Sequence, residues 1–338
     1  MPDEHKIIRS FIFGLVKSHI AGSTLSAALE EARANSTSSV HTTITFLNNG
    51  VDDAAKARYN TATYMQLVRQ ASRLQLNADI SLRLSQLGFT FDPVMVDKCM
   101  NDVLSAARDT GTKVWIEAEP NMPVERLFGL YRNYRKSYQN LGIEVPVWYP
   151  LEVDVIKKYF KPEDMVKLTS YAYPKVHESE EQEQKLEAKK KKNAKRSSNG
   201  NGKAKVKKIK DREKVAYENY ITYAGKLLQA GVGVYILDSD EKMVAKIAGF
   251  SKEYKKDLIF ELPLGYSKKW LKRLAKMKAN LSVYTPYGKD WPSYVVNKLT
   301  IKHARIRGMA TKVLYSKDGT MLDEIGGKDG ENGKGKRK

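Results

Sequence analysis

Cysteine is almost absent from this chain of 338 residues, which carries one, Cys99. A single thiol cannot close an intramolecular disulfide, and it excludes a metal site built from cysteines. Cys99 lies on the apolar side of a helical pattern with Val96 and Val103, so a packed core thiol is expected. Histidine is scarce too: the five, at 5, 19, 41, 177 and 303, lack the spacing of metal ligands, and no metal is assigned. His41 opens a strand segment and reads as structural. No run of about 18 apolar residues occurs, which excludes a transmembrane helix. The start MPDEHKIIRSFIFGLVKSHIAGS has a short apolar centre, an acidic lead-in and no small-residue cleavage pattern, unlike a signal peptide. With disulfides and signal both missing, the cytoplasm is the expected compartment.

What is present suffices for a real core. A hydrophobic share of 41% with 9% aromatics excludes wholesale disorder. Charge is lopsided: 59 Lys and Arg against 39 Asp and Glu give a formal +20, the signature of a polyanionic partner. Much of it is local. Residues 185–210 hold twelve Lys or Arg and one acid, Glu187. Such a run can neutralise phosphates without reading sequence, so nucleic acid is a candidate partner through 185–210, beside the alternative of a solvated loop. The basic stretches 267–278 and 297–307 add cations on what read as outer helix faces.

Strand and helix signals alternate along the whole chain. Short β-branched or apolar runs fall at 41–47, 77–84, 113–119, 144–149, 165–173, 232–237, 257–262 and 280–285. Between them Tyr64, Leu67, Val68, Ala71 and Leu74 share one helical face, and Ala216, Tyr220, Ala224 and Leu227 share another that Gly231 is placed to end. Gly88, Gly111, Gly142, Gly231 and Gly265 punctuate the junctions. Eight strands alternating with helices imply a parallel sheet with right-handed crossovers, and closure into a (β/α)8 TIM-type barrel is the simplest solution. The alternative, an open doubly wound sheet, lacks its Gly-x-Gly-x-x-Gly turn. The expected layout is an N-terminal helical segment over 1–38, a barrel over 39–310, a disordered lysine-rich insertion over 177–212 after the fifth strand, and an extension with a basic tail over 311–338. βα loops emerge at the C-terminal rim, so the insertion should hang beside the barrel mouth.

Two motifs carry a family resemblance. ISLRLSQLG (80–88) is similar to a second-strand signature, Val-Ser-Val-Lys-Leu-Ser-Gln-Leu-Gly, and VYTPYGKDWPSYVVNKL (283–299) is similar to a barrel ending with a Pro-Tyr-Gly turn, a Trp and a Tyr. Together, in this order and spacing, they resemble the proline dehydrogenases, whose reaction is the FAD-dependent oxidation of L-proline to 1-pyrroline-5-carboxylate. The opening IAGSTLSAALEEARA also looks like the family's first helix.

The resemblance implies a site, residue by residue. Arg83 stands at a lysine that helps bind substrate near the flavin, and Glu117 at a neighbouring aspartate; these are the implied catalytic pair. The family's Tyr-x-x-Arg-Arg-x-x-Glu grips the carboxylate of proline, and its positions read Tyr294, Asn297, Lys298 and Ile301 here. Lys298 keeps a cation without the bidentate fork, and Asn297 keeps none. For the cofactor, FAD, the implied contacts are Trp148, Ser170 at a fifth-strand lysine, Ser239 at a sixth-strand histidine and Glu261 at a seventh-strand glutamine. Val147 and Glu152 stand where the family has a glutamine and a flavin-contacting arginine. A carboxylate at that last position turns an attraction for a diphosphate into a repulsion. The residues alone leave open whether Arg83, Glu117 and Lys298 hold a small ligand or fill the mouth as an internal ion-pair network. Three functions remain: proline oxidation, a binding or regulatory barrel without that chemistry, and a nucleic-acid-associated protein.

Overall fold

The computed structural model describes residues 18–38, 40–48, 51–119, 122–170, 200–237, 241–265, 273–274, 276–277, 279–291 and 294. Eight parallel strands close into one barrel in sequence order, the first bonded to the last. The elements run α1 (Leu25–Thr37), β1 (His41–Phe46), α2 (Ala54–Arg73), β2 (Ala78–Leu82), α3 (Pro93–Asp109), β3 (Val114–Ile116), α4 (Val124–Arg135) and β4 (Leu141–Pro146). They continue with α5 (Val153–Tyr159), β5 (Met165–Thr169), α6 (Gly200–Gln229), β6 (Gly233–Leu237), α7 (Glu241–Tyr254), β7 (Leu258–Pro263) and β8 (Asn280–Tyr287). Local chemistry sets the helix starts: the side chains of Thr24, Asp53 and Asp92 accept backbone N–H groups of the first turns, and Pro93 occupies the first turn of α3.

The barrel and its helices match the expected architecture, with differences in detail. β4 begins at Leu141, three residues before the expected run, so Gly142 lies inside a strand rather than at a junction. The reason is packing: a Cβ on Gly142 would sit 2.6 Å from the Trp115 ring. Glycine there makes room for a fully buried indole inside the barrel. Gly142→Ala is expected to cost about 1–3 kcal/mol by overpacking, read as a lower urea midpoint. Leu74 caps α2 and is 38% exposed, so it leaves the buried stripe of Tyr64, Leu67, Val68 and Ala71. Cys99 is buried in the core, as expected. The backbone of α6 begins at Gly200, within the span assigned to the insertion; residues 171–199, the tail and the first 17 residues lie outside the described set. Among the described residues no helix is long and apolar enough to cross a membrane.

Barrel interiors are ordinarily filled by layers of branched apolar side chains from alternate strands. This interior is polar. One layer consists of Thr43, Trp115, Lys167 and Glu261 from β1, β3, β5 and β7, with Lys167 and Glu261 fully buried. Lys167 Nζ lies 2.7 Å from Glu261 Oε2 and 4.7 Å from the Trp115 ring, while the hydroxyls of Thr43 and Ser282 donate to Glu261 Oε1. Below it, towards the N-terminal end, Trp115 Nε1 donates to Asp79 Oδ2 at 3.0 Å and His41 Nε2 lies 3.4 Å from Asp79 Oδ1. His41 is therefore part of the barrel floor. Burial pushes the Asp79 carboxyl up, but the hydrogen bond and charge of His41, with Lys113 and Trp115, hold it below the usual range.

Candidate functional site

The C-terminal ends of β2, β3 and β8 bring three side chains together at the mouth. Arg83 follows the last residue of β2, where it precedes a 3-10 turn over Leu84–Leu87, and Glu117 follows the last residue of β3. Arg83 Nε donates to Glu117 Oε2 at 2.8 Å, and the Tyr284 hydroxyl donates to Glu117 Oε1 at 2.6 Å. Tyr294 stacks on Tyr284 with ring centroids 6.3 Å apart. Glu117 is nearly inaccessible, whereas about a quarter of the Arg83 side chain (24%) reaches solvent at the mouth. Burial pushes Glu117 up, but the charge of Arg83 and the hydrogen bonds from Tyr284 and Arg83 hold it below the carboxylate range, so it is ionised. Burial also lifts the Tyr284 hydroxyl, and the charge of Glu117 lifts it further, so Tyr284 stays a donor.

A second carboxylate flanks the pair. Glu119 accepts from the backbone N–H of Ser85 at 3.0 Å and from its hydroxyl, yet burial raises it above the usual range. A third, Glu144, stands on β4 next to the end of β3 that leads into Glu117, and beside Lys167 in register on β5. Its Oε2 receives the N–H of Ala118 at 3.3 Å. Burial, with Glu117 and Glu261 nearby, pushes Glu144 up to about 8.

The implied site residues divide into those that meet and those that do not. Arg83, Glu117 and Tyr294 converge on one mouth. Asn297, Lys298 and Ser239 lie outside the described residues, as does the lysine run 185–199. Glu261 is placed away from the mouth, in the closed interior, with both oxygens engaged by Lys167, Thr43 and Ser282. Trp148 packs half-buried against the core after β4, and Ser170 follows β5 half-buried. Glu152 is on the outside, its carboxylate 2.7 Å from Lys226. Tyr284, Glu144 and Lys167 were missed in the sequence reading. Their signal was polar residues at inward positions of strand-like runs, which only the barrel register reveals.

The similarity to known proteins follows the same outline. Over 308 residues the chain is 23% identical to proline dehydrogenase 2 of Bacillus subtilis (strain 168), covering 87% of this chain and 89% of that one. The likeness is to proline dehydrogenases. Proline dehydrogenase 1 of the same organism is 20% identical over 289 residues, covering 84% and 86% of the two chains. No family model matches the chain. Among solved structures, proline utilization A from Bdellovibrio bacteriovorus superposes with a TM-score of 0.65 at 14% identity, and that from Corynebacterium freiburgense with 0.63 at 12%. These cover 93% and 92% of this chain and about a third of theirs, 34% and 33%, so they speak for the barrel alone. The resemblance to proline dehydrogenases runs over most of the chain, and that family is flavin-dependent in general.

Proposed function

We propose that this chain is a proline dehydrogenase-like barrel protein that binds proline, or a related small anionic ligand, at the mouth formed by Arg83, Glu117, Tyr284 and Tyr294. The observation that supports it most is the Arg83–Glu117 contact of 2.8 Å, which joins the two residues standing at the family's substrate-side lysine and aspartate. Arg83 retains solvent access and carries a cation to the mouth. Glu117 and Tyr284 fix that cation from behind, and Glu117 supplies a negative charge for an ammonium.

The cofactor side argues differently. FAD brings a diphosphate, which needs cations or N–H groups not already committed. At the matched positions stand Glu261, fully engaged in the interior, and Glu152, an outward carboxylate paired with Lys226. The cations at the mouth and in the interior, Arg83 and Lys167, each lie against a carboxylate. This donor set does not fit FAD in the family's mode, and binding without flavin-linked oxidation is the reading it supports. Oxidation of L-proline to 1-pyrroline-5-carboxylate is the second reading, favoured by similarity across 87% of the chain to a protein named proline dehydrogenase.

Titration calorimetry with proline tests the binding site. Asn297→Arg with Lys298→Arg, which restores both guanidinium groups of the family pattern, is expected to tighten proline binding by about tenfold or more. An unchanged affinity in that double variant means these positions do not face the ligand.

A further inference from the structure

Among the described residues, the mouth and the interior just inside it hold three buried carboxylates, Glu117, Glu144 and Glu261, against two cations, the part-exposed Arg83 and the buried Lys167. Both cations are committed: Arg83 Nε is 2.8 Å from Glu117 Oε2, and Lys167 Nζ is 2.7 Å from Glu261 Oε2. Glu144 is the odd carboxylate. The titratable groups that act on it are Glu117 beyond β3, Lys167 on β5, Glu261 on β7 and Tyr284 on β8. One backbone N–H, from Ala118, reaches its Oε2 at 3.3 Å. A buried, unpaired carboxylate flanked by two others avoids its charge by holding a proton.

We propose that Glu144, the carboxylate without a cation of its own, is a ligand-controlling residue of the mouth, and that its proton sets whether the site accepts an anionic ligand. The ligand part rests on the amino-acid-binding reading above. With Glu144 neutral, Arg83 faces a ligand carboxylate with the single opposing charge of Glu117, which it already balances. Once Glu144 ionises, the mouth gains a negative charge that no cation balances, and the ligand carboxylate is repelled. The chemistry is one proton: Glu144–COOH gives its proton to solvent and becomes Glu144–COO⁻, with no bond made to the ligand and no oxidant involved. Burial and the neighbouring Glu117 and Glu261 place that step at about 8, inside the range where a modest pH change alters the site.

The sign follows. The folded-state value lies above that of an ordinary carboxyl, so the acid form is the one the closed barrel favours, and it is lost as pH rises through about 8. Proline affinity should be level from about pH 6 to about pH 7, be roughly halved by about pH 8, and above that fall by up to about tenfold for each further pH unit. Glu144→Gln keeps the shape and one carbonyl without a titrating proton, so its affinity should stay level across that range. The same fall in Glu144→Gln, or a level profile in the native protein that does bind proline, overturns the assignment of ligand control to Glu144. Infrared titration separates this from the binding reading itself. The native protein at about pH 7 should show the carbonyl stretch of a neutral buried carboxylic acid that disappears through about pH 8 and is missing in Glu144→Gln. If proline fails to bind but that band is present, the ligand reading falls and the proton on Glu144 stands. If the band is missing from the native protein, the inference about Glu144 is wrong whatever proline does.

Discussion

Lys167→Met is expected to destabilise the fold by about 3–5 kcal/mol, the usual cost of stripping one partner from a buried ion pair. Lys167 and Glu261 are both fully buried, and no water can replace the lost ammonium. Methionine conserves most of the volume, so a cavity contributes little and the loss reports Glu261 left charged and alone. Glu144 on β4, neutral in the same interior, supplies no cation to replace Lys167. Urea unfolding should show a lower midpoint at unchanged slope. Lys167→Met combined with Glu261→Gln removes both charges and should recover much of the loss. A cost below about 1 kcal/mol in the single variant would mean that this pair is not the closed ion pair described here.

Arg83→Gln is expected to weaken proline binding by about tenfold to a hundredfold, the worth of one charge-assisted hydrogen bond of about 1.5–3 kcal/mol. Two losses add in this variant: the ligand carboxylate loses its fork, and Glu117 loses the cation that keeps it ionised. Arg83→Lys separates them, since lysine keeps the charge and loses the planar geometry, and should fall between the native and glutamine proteins. Calorimetry reads both. Native-like affinity in Arg83→Gln would place the ligand away from this mouth, whatever the barrel's ancestry.

The barrel was legible in the chain because each of its eight strands is an apolar or β-branched run with helical periodicity between them. The start of β4 was not legible, because LGIEVP carries a glycine that ordinarily marks a junction; here it marks the space that Trp115 occupies. Arg83 and Glu117 were legible through the motifs around them, and the register of β2 and β3 does bring them together. Glu261 was not, since its match to a family position says nothing of Lys167, which reaches it across the closed barrel from β5. Glu144 and Lys167 sit in runs that read simply as strand. Their significance depends on which face points inward and on how many charges share the interior, and that is a property of the closed sheet rather than of any segment.

The proposed function turns on the balance between carboxylates and cations in the barrel. The most direct measurement is the visible absorbance spectrum of the purified full-length protein after incubation with excess FAD and removal of free cofactor, before and after adding proline. The account predicts no retained flavin band, together with proline binding that calorimetry still detects. A flavin band that survives desalting and bleaches on addition of proline would contradict it, and would show that residues other than those matched to the family's contacts hold the cofactor.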